Sequence, residues 1–178
     1  MIIFVENKKE MKALVSIIMG STSDLKIMEK AALFFDEMQL PFEMHALSAH
    51  RTPAAVERFA KEARHRGIKV IIAGAGMAAH LPGVIASLTP LPVIGVPIAA
   101  TLDGMDALLA IVQMPPGIPV ATVGINNATN AAILACQMMA VADAQLMEKL
   151  QLYKENLSQK ITKANEELGK INYRFKTN

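Results

Sequence analysis

Short apolar runs and longer amphipathic stretches alternate along the chain. Leu14-Val15-Ser16-Ile17-Ile18-Met19, Val70-Ile71-Ile72-Ala73 and Val93-Ile94-Gly95-Val96 are nearly continuous apolar runs. The latter two are bounded by Gly or Pro, as suits parallel strands covered on both faces. Ile118–Val123 is a further strand whose Pro119 confines its start, and Phe42–Leu47 alternates like a strand near the sheet edge. Between them, Leu25, Met28, Ala31, Ala32, Phe35 and Met38 recur at three- and four-residue spacing and predict a helix over 24–38. Pro53 to Arg66 has proline in its first turn and Gly67 just beyond its end, the expected helix asymmetry. Ala78–Ser87 and Met105–Val112 read as shorter helices, and 127–168 as one long helix or a pair. Strands alternating with helices imply right-handed βαβ units, hence a three-layer α/β/α fold on a parallel sheet of about five strands.

Charge is distributed unevenly over this pattern. From Val70 to Ala142 the only Asp, Glu, Lys or Arg are Asp103 and Asp106, and no Phe, Tyr or Trp occurs. A membrane span would suit so apolar a block, but Pro82, Pro90, Pro92 and Pro97 interrupt it, and lipid cannot replace the helix hydrogen bonds that proline removes. Several buried elements in series are the better reading, and no membrane partner is expected. The 178 residues suit one domain of ordinary size, and a single cysteine, Cys136, excludes a disulfide framework or a Cys-rich metal site. With no basic-then-apolar leader, a soluble cytoplasmic protein is expected.

Residues 1–12 are expected to form a disordered N-terminal extension and 13–142 the α/β domain. Residues 143–178 are expected to form an amphipathic C-terminal helix and tail. Its stripe of Leu146, Leu150, Tyr153, Leu157, Ile161, Ala164 and Leu168, read at 3.5-residue spacing, requires a partner surface on its own or a neighbouring subunit.

Ligands of open parallel sheets bind beyond the carboxyl ends of the strands. Three polar or Gly-rich turns fall there: Gly20-Ser21-Thr22-Ser23-Asp24, Ser48-Ala49-His50-Arg51-Thr52-Pro53, and Gly74 through Gly83. Ser21 and Asp24 either cap a helix or, with Gly20, hold an anion at helix-start N–H groups. Arg51 suits a phosphate, and the adjacent His50 suits proton transfer near neutrality. His80 either supports the site or packs on a neighbouring loop, and His45 and His65 read as surface or helix residues. The glycine spacing after the third strand is not a dinucleotide fingerprint, and no phosphate-loop GK[ST] occurs. The backbone amides of that turn suit a small anionic group such as a carboxylate. Gln113-Met114-Pro115-Pro116-Gly117 is a rigid turn, either a plain connection or part of the site's closure.

GSTSD (20–24), SAHRTP (48–53), AGAGMAAHLPG (73–83), QMPPGIPVATV (113–123) and Asn130-Ala131-Ala132 occur in this order. In that combination, from Leu14 to Val141, the chain resembles the 5-(carboxyamino)imidazole ribonucleotide mutases of purine biosynthesis. The resemblance implies a flavodoxin-like subunit, a homo-octamer, and transfer of a carboxylate from an exocyclic nitrogen to ring carbon C4 without metal or organic cofactor. It further implies His50 as the general acid–base, Asp24 on the ribose beside Ser21, and Ser48 and Arg51 with Ser23 at the phosphate. The backbone from Gly74 to Ala78 would hold the migrating carboxylate. Ala75, Gly76, Ala78, His80 and Leu81 complete the expected substrate-binding set.

A related branch that carboxylates aminoimidazole ribonucleotide directly with CO₂ is less similar, having lysine where Arg51 stands and a different turn at 75–80. A flavin-binding or signalling module on the same fold is the rival from another class. Against that rival, this chain has no aromatic stacking face in the apolar block for a flavin and, after the first strand, Gly-Ser-Thr-Ser in place of a signalling module's acidic cluster. The pI of 8.7 is the sole pointer to nucleic acid, and no nucleic-acid partner is expected because much of the positive charge sits on the tail and on amphipathic helices. The uncharged block is expected to be buried between subunits, at the 78–87 and 130–142 helices.

Overall fold

A computed structural model describes residues 11–178. Most of the expected N-terminal extension lies outside the described residues. The elements are β1 (Val15–Met19), α1 (Leu25–Met38), β2 (Phe42–Ala46), α2 (Pro53–Ala63), β3 (Val70–Gly76), α3 (Leu81–Leu88), β4 (Val93–Ile98), α4 (Met105–Val112), β5 (Ala121–Thr122), α5 (Ala128–Ala140) and α6 (Ala144–Gly169). All four strand pairings are parallel, in the order β2-β1-β3-β4-β5. This is the flavodoxin-like order, which reverses direction between β1 and β3 and opens a crevice at their carboxyl ends.

Every residue of β1 and β4 is buried, as is β3 up to Ala75, which explains why these strands read as unbroken apolar runs. Alternation along β3 sends Ile71, Ala73 and Ala75 into one core with Val56, Phe59 and Ala60 of α2, Ile85 of α3 and Ile111 of α4. On the opposite face Gly74 lies under α1: a Cβ there would stand 2.4 Å from Sδ of Met28. Helices therefore cover both faces of the sheet. The only fully buried polar side chain among the described residues is Ser16, whose hydroxyl donates to Oε1 of Glu43 on β2 at 2.6 Å. Glu43 in turn takes the Arg66 guanidinium at 3.0 and 3.1 Å, which holds the edge strand against the chain beyond α2.

Several sequence boundaries shift. The fifth strand is two residues long, because Pro119 has no N–H to give a ladder and the chain pairs with β4 only at Ala121 and Thr122. The helix expected at 78 begins at Leu81, because 77–80 are wound into tighter turns. The stretch from 127 is a pair of helices, broken at 141–143 and restarted by Asp143, whose carboxylate accepts from the Leu146 N–H at 3.0 Å.

The chain divides into two compact units, the second being Cys136–Asn178. In α5 the residues Ala128, Ala131, Ala132 and Ala135 are fully buried, a face of small side chains that allows close backbone approach. In α6, Leu146 and Leu150 are buried, whereas Leu157, Ile161 and Leu168 are exposed. The stripe repeats every eleven residues (Leu146, Leu157, Leu168; Leu150, Ile161; Tyr153, Ala164), which is 3.67 per turn rather than 3.5 and imposes no left-handed supercoil. No helix among the described residues is long and apolar enough to cross a membrane.

Candidate active site

The crevice between β1 and β3 is a cavity of about 540 Å³. Its walls come from the turns after β1, β2 and β3, with Ala100 beyond β4.

After β1 the chain turns at once into a single 3₁₀ turn, Thr22–Asp24. Ser21 caps it, its Oγ accepting from the Ser23 N–H at 3.3 Å, and the Ser23 hydroxyl lies 3.2 Å from Oδ1 of Asp24. After β2, Leu47 N–H still donates to the Met19 carbonyl at 2.9 Å, so the next loop leaves the sheet beside the end of β1. That loop is closed by Thr52, which accepts from the Ser48 N–H at 3.0 Å and donates back to the Ser48 carbonyl at 3.1 Å. The Ser48 hydroxyl accepts from the Arg51 N–H and Nε at 3.2 and 3.3 Å. Arg51 Nη2 crosses to the Gly20 carbonyl at 2.7 Å and ties the first two turns together. Two bonds leave the other guanidinium donors for a ligand.

The third turn brings the histidines together. β3 continues to Gly76, Met77 adopts a left-handed φ of 55°, and two i to i+2 bonds follow: Ala79 N–H to the Met77 carbonyl at 2.8 Å and His80 N–H to the Ala78 carbonyl at 2.7 Å. This places His80 Nδ1 2.8 Å from His50 Nε2, the rings meeting edge to face. In the neutral pair one ring donates and the other accepts.

Of the residues expected at the site, Ser21, Ser23, Asp24, Ser48, His50, Arg51, Ala75, Gly76, Ala78, His80 and Leu81 all line the cavity. Gly74 does not. It lies within β3, registered with Met19 and Val96, so its backbone belongs to the sheet and its missing side chain makes room for Met28. Gln113–Gly117 also lies outside the lining, with Gly117 instead bordering a second cavity at the amino ends of β4 and β5. That cavity is larger, about 640 Å³, yet carries no titratable side chain. His45 faces Glu43 at 3.3 Å and the Phe59 ring, away from the site lining. His65 is exposed beyond α2.

Sequence reasoning missed Ala49 and Ala100 as lining residues and gave Met77 a role through its backbone alone. Ala100 carries no polar signal, and only its place just past β4 could have flagged it. Its wall is braced from β5's side by Asn126, whose side chain accepts from the Ala99 N–H at 2.9 Å. No group of three or more metal-ligating side chains occurs among the described residues.

Residues 14–160 match the family model described as AIR carboxylase. The chain belongs to the AIR carboxylase family. Within it, the chain is 54% identical over 165 residues to an N5-carboxyaminoimidazole ribonucleotide mutase of Pyrococcus horikoshii, covering 90% of this chain and 93% of that one. A mutase of the same name from Thermotoga maritima is 50% identical, with 90% and 94% covered. A phosphoribosylaminoimidazole carboxylase of Schizosaccharomyces pombe is also 50% identical, but the match spans 29% of that longer protein. Among solved structures, Treponema denticola PurE superposes with a TM-score of 0.80 at 29% identity, covering 88% of this chain and 98% of that one. This family membership agrees with the resemblance carried by the SAHRTP and AGAGMAAHLPG turns.

Proposed function

We propose that the chain is an isomerase of purine biosynthesis that converts 5-(carboxyamino)imidazole ribonucleotide to 4-carboxy-5-aminoimidazole ribonucleotide. The observation that carries this reading is the hydrogen-bonded His50–His80 pair in a crevice that Arg51, Ser48 and Ser23 of the same chain also line. The mutases of Pyrococcus horikoshii and Thermotoga maritima are covered nearly end to end by this chain, which supports the mutase over direct CO₂ fixation.

The chemistry requires few groups. His50 donates a proton to the carbamate nitrogen, the nitrogen–carbon bond breaks, and CO₂ leaves an electron-rich aminoimidazole. Carbon C4 attacks the retained CO₂, and His50 recovers its proton from C4, so no net proton is consumed. The protein supplies confinement, orientation and exclusion of water. His80 fixes which nitrogen of His50 carries the proton.

In this reading Arg51, Ser48 and Ser23 take the phosphate, and Asp24 takes the ribose hydroxyls beside Ser21. The backbone of Ala75 to Ala78 takes the carboxylate, with Leu81 closing the wall behind it. No metal or organic cofactor enters the scheme. The protein acts in the cytoplasm as a homo-octamer. Support for association comes from the exposed apolar face of α4 (Met105, Leu109, Val112) and the exposed distal stripe of α6. The charge-poor α3 and α5 helices pack between subunits in this assembly. The α/β domain of 13–142 carries the site, and the tail of 143–178 packs on its own or a neighbouring subunit.

The test supplies purified protein with the carbamate substrate and no added bicarbonate. Formation of the C4-carboxylate is expected. Reaction only from aminoimidazole ribonucleotide with CO₂ assigns the other branch.

A further inference from the structure

We propose that Met77 is a ring-binding residue: its thioether chain covers a face of the aminoimidazole and so sets specificity for a flat heterocycle. The inference rests on the ribonucleotide reading above.

Two independent observations converge on this side chain. The first is backbone conformation. Met77 holds a φ of 55°, a region that glycine enters without steric cost and a side chain enters with strain. Such strain persists where surrounding structure over-determines it, and it clusters at ligand sites. Here the bonds from Ala79 and His80 brace the turn just after it. A side chain kept at a position suited to glycine calls for a use.

The second is exposure. Met77 is 57% exposed while lining the cavity; Leu81, the other large apolar residue of the lining, is 3% exposed. The remaining walls are glycine, alanine, serine, aspartate, arginine and the two histidines, with no Phe, Tyr or Trp. From its own protomer a ligand heterocycle in such a crevice has polar partners for its edges and phosphate but one long, exposed apolar side chain for its face. Flexible thioethers pack well on aromatic rings through sulfur contacts. Met77 stands three residues before His80, so a ring held against it lies next to the histidine pair.

The experiment measures calorimetric affinity of the parent, Met77→Gly and Met77→Leu for two probes: aminoimidazole ribonucleotide, and ribose 5-phosphate, which lacks the ring. Turnover of the carbamate substrate is followed in parallel. Met77→Gly is expected to bind the ribonucleotide about tenfold more weakly and ribose 5-phosphate unchanged, while melting within about 2 °C of the parent. Met77→Leu is expected to recover most of the loss. Unchanged ribonucleotide affinity in Met77→Gly, or equal losses for both probes, overturns the inference. A ring-selective loss in Met77→Gly with a parent that does not convert the carbamate overturns the mutase reading and leaves Met77 as a ring contact. A parent that does not bind the ribonucleotide overturns both.

Discussion

His50 Nε2 and His80 Nδ1 are 2.8 Å apart although thirty positions separate them in the chain. A second proton at this contact, with both His50 Nε2 and His80 Nδ1 carrying hydrogen, sets two N–H donors against each other and breaks the bond, so the arrangement works only while one nitrogen of the contact is free to accept. His50→Asn is expected to lower kcat about 10²-fold or more, the usual scale for losing a general acid–base. His80→Asn keeps an acceptor close to the lost Nδ1 and is expected to retain more activity than His80→Leu, with KM nearly constant in both. Steady-state kinetics check this, and equal loss in the two His80 variants contradicts it.

Arg51 serves the site and holds it together, since Nη2 binds the Gly20 carbonyl and Nε the Ser48 hydroxyl. Lysine cannot reproduce that fork. Arg51→Lys is expected to raise KM for the ribonucleotide about tenfold while leaving affinity for the dephosphorylated nucleoside nearly unchanged. Parallel binding measurements on the two ligands read the difference.

Much of this site was visible in the sequence because its polar residues interrupt apolar strands. Ser21 and Asp24 follow the buried β1, Ser48, His50 and Arg51 follow the alternating, half-buried β2, and strand ends are where open sheets bind ligands. Gly74, read as the start of the turn, stands inside β3 for a related reason. A glycine after an apolar run signals either a turn or a close approach within the strand, and spacing alone does not distinguish them. The decision belongs to Met28, 46 positions earlier, whose sulfur occupies the place of a side chain. The Met77 side chain gave no signal because methionine is ordinary in an apolar block, and its left-handed φ is a property of the turn. The eleven-residue repeat of α6 was present in the sequence, but a stripe of seven positions reads as a heptad until the register is followed from Leu146 to Leu168.

Gly74→Ala should overpack the interface between α1 and β3, because its Cβ would stand 2.4 Å from the Met28 sulfur. A loss of about 1–3 kcal/mol is expected. Combining it with Met28→Ala should cost less than the sum of the single changes, and a double-mutant cycle by denaturant unfolding measures the coupling.

Burial pushes the Cys136 thiol from its ordinary 9.0 up to about 12. The folded chain therefore keeps a proton that the unfolded chain releases from about pH 9 upward. Stability present below pH 9 is lost as pH rises toward 12. Cys136→Ala should show a shallower alkaline decline than the parent over this window in melting temperature. In the parent, a thiol reagent at neutral pH should react slowly until denaturant is added.

Ile161 is 65% exposed on α6. Ile161→Lys is expected to leave unfolding free energy within about 0.5 kcal/mol under conditions where the chain is monomeric. With a stripe that packs on a neighbouring copy, as proposed, Ile161→Lys sediments as smaller species than the parent, and unchanged sedimentation assigns the stripe no role in association.

The lining of the cavity begins at Gly20 and ends at Ala100. Every side chain that faces the crevice within one protomer is thus encoded in the first hundred positions. In a chain growing from its amino end, the walls of the site have all been synthesised before β5, α5 and α6 leave the ribosome. What Asn126, synthesised later, adds is a brace on the wall at Ala99 rather than a new wall.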